Sequence, residues 1–246
     1  MYQFFVEDEQ VTEDGVLITG SDVNHIRNVL RMKPGERVRI STRTGSNYLC
    51  SITQVEEMSI AAQILETMAG TELPNRIVLF QGLPKADKME LIIQKAVELG
   101  AAEIVPVSMK NCVVKLDAKK AENKVKRWQQ IVESAAKQSK RSLIPAVHEV
   151  LSYREAVAYA AECDVRLVPY ENEQGMAGTK TMIEAIVPGE SIAVFIGPEG
   201  GFDESEIAEA RDAGMKTISL GNRILRTETA GLAALSILMY QIESKE

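Results

Sequence analysis

Histidine is scarce in this 246-residue chain, with two copies, and cysteine nearly so, with three. His25 and His148 stand far apart, and Cys50, Cys112 and Cys163 form no CxxC pair. A histidine-rich metal site, a zinc site and a disulfide framework are therefore not expected. The one tryptophan, Trp128, reads as core rather than as a stacking platform for a base. No apolar run approaches the roughly 20 residues that span a bilayer. The longest, Leu232 to Tyr240, is interrupted by Ser236. An acid already at Glu7 does not fit a secretory leader. Neither a Gly-Lys-Ser/Thr loop nor a G-x-G-x-x-G turn occurs, so the usual phosphate clamps are missing. The expectation is a soluble, reduced, cytoplasmic protein that binds no metal and no membrane.

Charge is present but segregated. The whole chain carries −7. Residues 25–43 nevertheless hold six basic residues against one acid, and residues 110–141 ten against three. Residues 142–246 hold eight basic residues against seventeen acids. Basic patches on an acidic body suit a polyanion, although each lysine taken alone reads as a solvated side chain.

Hydrophobic spacing changes character along the chain. Residues 1–72 give short β-branched runs, QFFVE, GVLITG, ERVRIST, NYLCSITQVE and SIAAQILET, which suggest a small β-barrel. One helix interrupts them, with Ser21 as its cap, Val23, Ile26, Val29 and Leu30 as its apolar face, and Pro34-Gly35 as its stop. GTELPN, residues 70–75, reads as a linker. From residue 73 onward, continuous apolar strands such as RIVLFQG alternate with amphipathic helices. That alternation predicts an α/β domain with an open parallel sheet over 73–246.

Three loops follow predicted strands in the last third. They are Val168-Pro169-Tyr170-Glu171, the turn Ile196-Gly197-Pro198-Glu199-Gly200-Gly201, and Leu220 to Glu228 with Gly221, Arg223, Ile224, Leu225 and Arg226. Ligands of open α/β sheets gather at this edge. Glycines let backbone groups approach a ligand, and Leu220, Ile224 and Leu225 add apolar contact. Such a pocket suits adenine and ribose better than a triphosphate. Taken alone, the glycine turn also reads as a plain turn before a helix capped by Asp203 and Glu206. The last loop then enters a helix rich in small residues, among them Ala230 and Gly231, which permit close packing at its start.

IGPEGGF and LGNRILRTETA, with GLPKADKMELIIQKAVELGAAEIVPV, RWQQIVESAAKQSKR and HIRNVLRM, resemble the RsmE-type small-subunit ribosomal RNA uridine-N3 methyltransferases of the SPOUT superfamily. The resemblance spans essentially the whole chain. It departs at Ala101, where valine is expected, and at Lys140-Arg141-Ser142, where Gly-Arg is commoner. It implies a PUA-like β-barrel over 1–72 and a SPOUT α/β domain with a deep trefoil knot over 73–246. It also implies S-adenosylmethionine as cofactor, a homodimer, and methylation of N3 of one uridine in 16S RNA of the assembled small subunit. The cofactor would lie on the three loops, with Thr229 and Ala230 beside it.

The chemistry asks for a cation against the imide anion that forms as N3 loses its proton, and for a proton acceptor. Arg226, then Arg223, is expected in the first role. Glu228 or Glu199 is expected in the second, with Glu199 equally suited to holding its loop. No cysteine sits in a matching motif, which argues against covalent attack on the base. RNA contacts are expected from His25, Arg27 and Arg31 on the first helix, Lys88 and Lys95 on the helix after RIVLFQG, and Lys137, Lys140 and Arg141 at the end of the basic helix.

Overall fold

The structure, a computed structural model, describes residues 1–245. Two compact units divide it, Met1–Glu72 with Ala136–Ile144, and Leu73–Ala135 with Pro145 onward. The segment 136–144 thus groups with residues far ahead of it in the chain.

In the first unit the apolar alternation produces β1 (Tyr2–Val6), β2 (Gly15–Thr19), β3 (Arg37–Thr42), β4 (Asn47–Val55) and β5 (Ser59–Met68). They form one sheet in the order β1-β3-β4-β5-β2, antiparallel except for β1 on β3. β1 and β2 lie at its two ends, so the expected barrel takes the form of a curled sheet that is not closed by pairing. Phe4, Ile18, Ile40, Ile52 and Ile60, one from each strand, share a core with Val23 and Ile26.

The helix of this unit differs from expectation. Helix α1 (Ser21–Asn24) continues as a wider turn over His25–Val29, where the Leu30 N–H reaches back to the His25 carbonyl. Gly20, not Ser21, holds the cap position, at φ 79°. Val29 faces solvent. The turn stops at Arg31, whose left-handed φ of 53° lets the Met32 N–H close on the Ile26 carbonyl. Arg31 therefore lies beyond the helix and not one regular turn from Arg27.

The second unit begins with β6 (Arg76–Gly82), α2 (Lys88–Glu98), β7 (Glu103–Ser108) and α3 (Ala118–Ser139), whose last turn belongs to the first unit. Two short strands absent from the sequence reading follow, β8 (Ala146–Val147) and β9 (Leu151–Ser152). Then come α4 (Tyr153–Ala160), β10 (Val165–Pro169), α5 (Ala177–Ala185), β11 (Ser191–Ile196), α6 (Glu204–Asp212), β12 (Lys216–Ile218) and α7 (Thr227–Glu243). The strands are all parallel, in the order β12-β10-β11-β6-β7-β8, with β9 also on β7. Full burial of β6 and β11 on both faces explains why their sequences are continuously apolar. Phe80 and Phe195, opposite each other in register, stack at 4.3 Å between centroids. Trp128 is buried, as its reading anticipates. No helix among the described residues is long and apolar enough to cross a membrane.

Chain order places β6 and β11 side by side at the centre, so the crossovers diverge there and leave a crevice at the carboxyl edge. At the opposite edge the strand starts are tied by charge. Glu103 accepts from Arg76 Nε at 2.5 Å and from the Tyr159 hydroxyl at 2.5 Å, and lies 2.7 Å from His148 Nε2. Burial alone would raise the pKa of its carboxyl, but hydrogen bonds from His148, Arg76 and Tyr159 outweigh it and hold the value at about 2 against an ordinary 4.5. A depressed folded-state pKa contributes stability above pH 4.5 that is lost as pH falls toward 2. In acid unfolding followed by circular dichroism, Glu103→Gln is expected to be less stable at neutral pH by about 2–3 kcal/mol and to show a flatter decline across that window.

Candidate active site

At the carboxyl edge of the second sheet, the loops after β10, β11 and β12 enclose two adjoining cavities of about 430 Å³ each. Pro169, Glu171, Ile224, Leu225 and Ala230 border both. Tyr170, Leu220, Gly221 and Arg223 border one, and Ile196 through Gly201 with Arg226 border the other. The sequence-named loops are thus brought together. Three of the residues named there, Val168, Glu228 and Thr229, border neither space. Strand alternation buries the Val168 side chain completely, and Thr229 sits on the exposed side of the first turn of α7. Phe202, Thr227, Asn222, Glu173 and Lys88 border the cavities without having been expected there. Only their position on the same loops and helix starts could have signalled the first four.

The glycine turn is positioned by close approach. A Cβ on Gly82, at the end of β6, would come within 2.7 Å of the Pro198 ring, so only glycine lets β6 pass there. Gly201 has φ +67° and abuts the Glu171 carboxylate. After β7, Asn111 donates to the Gly200 carbonyl at 3.1 Å, and Lys110 donates its N–H to Glu206 at 2.9 Å and pairs with Asp203 at 3.0 Å. Asp203 and Glu206 form the reciprocal cap of α6 that their spacing predicts. The turn is therefore a plain capped turn and a cavity wall at once.

Helix α7 starts two residues earlier than its sequence suggests, with Arg226 at the cap position. Thr227 is buried, and its hydroxyl donates to the Gly197 carbonyl at 2.6 Å while accepting from the Gln81 amide Nε2 at 2.8 Å. One hydroxyl thus links the end of β6, the turn after β11 and the start of α7.

Two carboxylates converge on one lysine. Lys88 Nζ lies 3.1 Å from Glu199 and 3.2 Å from Glu228. Glu199 also accepts the Lys85 N–H at 3.0 Å. Hydrogen bonds to Glu199 and Glu228 hold the Lys88 ammonium above its ordinary pKa. Burial opposes ionisation of Glu199, yet the Lys85 N–H, its own N–H and Lys88 together keep its carboxyl below the usual range. The same balance, burial against its own N–H, Lys88 and the charge of Arg226, keeps Glu228 low. Glu228 Oε2 is enclosed and meets the Lys88 ammonium at 3.2 Å. Arg226 and Arg223 are exposed, and neither has a carboxylate partner among the described residues.

The other basic residues are scattered. Lys95 pairs with Glu98 at 2.7 Å. In the first unit His25, Arg27 and Arg31 are exposed. Lys137 is held by Asp22 at 2.8 Å. Lys140 and Arg141 lie beyond the end of α3. Arg141 is 5% exposed and locked onto Glu72, so its expected place on the surface is corrected: its guanidinium faces inward because a carboxylate neutralises it there. Among the described residues no cluster of potential metal ligands occurs.

A crevice at the carboxyl edge of a parallel sheet, walled by glycine turns and a small-residue helix, defines the class. A family model described as an RNA methyltransferase domain matches residues 71–239, and one described as an RNA methyltransferase PUA domain matches residues 18–65. The chain is 38% identical to the ribosomal RNA small subunit methyltransferase E of Bacillus subtilis (strain 168), over 99% of this chain and 98% of that one. It is 35% identical to the protein of the same name from Mesomycoplasma hyopneumoniae (strain 232), over 96% and 98%. A crystal structure of the Neisseria gonorrhoeae ribosomal RNA small subunit methyltransferase E bound to S-adenosyl methionine superposes with a TM-score of 0.81 at 35% identity, over 96% of each chain. This chain belongs to the ribosomal RNA small subunit methyltransferase E family.

Replacing Thr227 by valine keeps the shape but removes the hydroxyl shared by Gln81 and Gly197. The buried Gln81 and the half-buried Gly197 carbonyl each lose a hydrogen bond, so urea unfolding is expected to show a loss of about 1–3 kcal/mol.

Proposed function

We propose that the chain transfers a methyl group from S-adenosylmethionine to N3 of a uridine in the RNA of the assembled small ribosomal subunit. The observation that carries this reading is the pair of adjoining cavities on the three loops, in a chain of this family. Their residues fit the cofactor. Ile196, Leu225, Phe202 and Ala230 offer apolar walls, and the glycine turn offers backbone polar groups. Glu171, Glu173 and Glu199 suit a cationic sulfonium and ammonium, where they would repel a phosphate. The volumes lie within the roughly 300–1,000 Å³ of small-molecule sites.

When bound, S-adenosylmethionine supplies an electrophilic methyl group. The chain must hold the uracil nitrogen in line with it and remove the N3 proton. Arg226, without a carboxylate partner beside the cavity, stabilises the developing imide anion, with Arg223 as a second cation. Glu228, kept ionised beside Lys88 at the start of α7, accepts the proton. Glu199 holds the loop, since the Lys85 N–H and Lys88 occupy its oxygens. Lys88 serves this carboxylate pair rather than RNA. His25, Arg27, Arg31, Lys95 and Lys140 remain the RNA contacts of this reading, the first three on an RNA-binding first unit.

The proposal includes a deep trefoil knot through residues 168–230, a homodimer and a cytoplasmic place of action. The knot draws support from the way loop 219–226 runs into α7 beside Gly197 and the end of β6. The homodimer draws support from α7, which is apolar nearly all round yet leaves Tyr240 73% exposed on the same surface depression as Met176, the residue just before α5.

Labelled methyl transfer to purified small subunits lacking the modification, with the nucleoside identified by mass spectrometry, tests the reaction. Wild type is expected to yield 3-methyluridine. Arg226→Ala is expected to lose roughly 100-fold or more in rate, and Glu228→Gln roughly 10²–10⁴-fold, with cofactor affinity by calorimetry little changed. A methyl group on another atom would overturn the target assignment. Absence of both cofactor binding and transfer would favour a non-catalytic RNA-binding protein. Separately, sedimentation equilibrium is expected to show a dimer for wild type and a shift toward monomer for Tyr240→Glu.

A further inference from the structure

The segment 136–144 brings three cations, Lys137, Lys140 and Arg141, into the first unit, where Arg39 of β3 is a fourth, and they are not treated alike. Asp22 neutralises Lys137, with both carboxylate oxygens within 3.0 Å of Nζ. Glu72 neutralises Arg141 and also accepts the N–H groups of Ser142 at 2.8 Å and Leu143 at 3.2 Å. Those acids are fully engaged. Arg39 and Lys140 are left with no carboxylate partner among the described residues.

Arg39 is 6% exposed. Only its Nη2 is bonded, to Asn47 Oδ1 at 3.2 Å and weakly to the Ala69 carbonyl at 3.5 Å. Its Nε is buried without a partner. Nη1 makes no hydrogen bond and is not enclosed. Lys140 sits at a left-handed φ of 65°, and its ammonium donates to the Lys137 carbonyl at 3.3 Å. Burial and then the charge of Arg39 depress its pKa, while burial depresses that of Arg39. The side chains that bond around them are uncharged, Ser41, Asn47, Thr71 and Ser142, and the nearby Glu72 carboxylate is already paired with Arg141. A buried guanidinium beside a second cation, with no anion, is unfavourable unless something else brings the negative charge.

We propose that Arg39 and Lys140 form an anion site that takes one phosphodiester of the RNA substrate. The identity of the anion as RNA rests on the methyltransferase reading above; the charge imbalance itself does not. A planar guanidinium and a mobile ammonium together match the oxygens of a phosphodiester. A phosphate contact positions the RNA without reading its sequence, so the site adds affinity equally on any base.

The test measures binding of full-length protein to unmodified small-subunit ribosomal RNA, made by transcription, across a potassium chloride series. Lys140→Gln is expected to weaken binding about 3–10-fold and to lower the slope of log affinity against log salt by about 1. The same loss is expected on RNA of unrelated sequence. Lys140→Arg is expected to restore both, and cofactor affinity is expected to stay unchanged. Arg39→Gln should match Lys140→Gln; if it fails to fold, the lysine pair of variants still decides. A wild-type affinity and slope in folded Lys140→Gln would overturn the site while leaving the methyltransferase reading intact. Wild type that binds no RNA and transfers no methyl group would instead overturn the reading on which the ligand rests.

Discussion

The Thr227 hydroxyl fixes the geometry on which the candidate site depends. It accepts a hydrogen bond from the Gln81 amide at the end of β6 and donates one to the Gly197 carbonyl after β11. The next residue is Glu228 and the one before is Arg226. Both charged groups therefore take their positions from a bond buried beneath them. Gly82 and Pro198 add a second constraint at the same place, because the approach of β6 to the turn leaves no room for a Cβ. A loop fixed at two points loses little freedom on binding, which favours affinity and alignment.

Above that joint, charge is arranged so that the acids stay ionised. Lys88 lies between Glu199 and Glu228, and it comes from the helix that follows β6. The strand that ends at the Thr227 joint thus leads directly into the residue that neutralises the two acids. This links packing to chemistry. A shift of β6 would move Lys88 and the Thr227 contact together, and the two carboxylates would then repel each other in a partly enclosed space.

Much of this was legible in the sequence, and what was not has a common cause. The period of apolar residues locates the strands and helices, and the Asp203–Glu206 spacing yields its cap, because those signals are local. The glycine turn and the loop 220–228 read as a ligand edge because open α/β sheets bind there. Illegible were the partners across long separations. Nothing near Lys88 in the chain says that Glu199 and Glu228 will meet it, so it resembles any surface lysine. Arg141 likewise looks like a basic residue ending a basic helix until Glu72 turns it inward. Val168 has the right position in the chain, but strand alternation buries its side chain. The wide turn over His25–Val29 also escaped, since its i to i−5 bond leaves no mark in hydrophobic spacing.

Pairing then separates two kinds of charge that composition cannot distinguish. Glu103 with Arg76, Lys137 with Asp22 and Arg141 with Glu72 satisfy one another inside their own units, and their work is to hold elements in place. Arg226 and Arg223 stand at the cavities with no carboxylate, and Arg39 and Lys140 stand together with none. Leaving a cation unpaired carries a free-energy penalty that grows with burial, so a buried unpaired one is the stronger signal. By that measure Arg39, nearly enclosed and with an unbonded Nε, is more demanding of an anion than any exposed lysine on α3. The net charge of −7 is then no argument against a nucleic-acid partner. What matters is where positive charge lacks its own counter-charge, and among the described residues those places include the cavity rim and the buried Arg39 of the first unit.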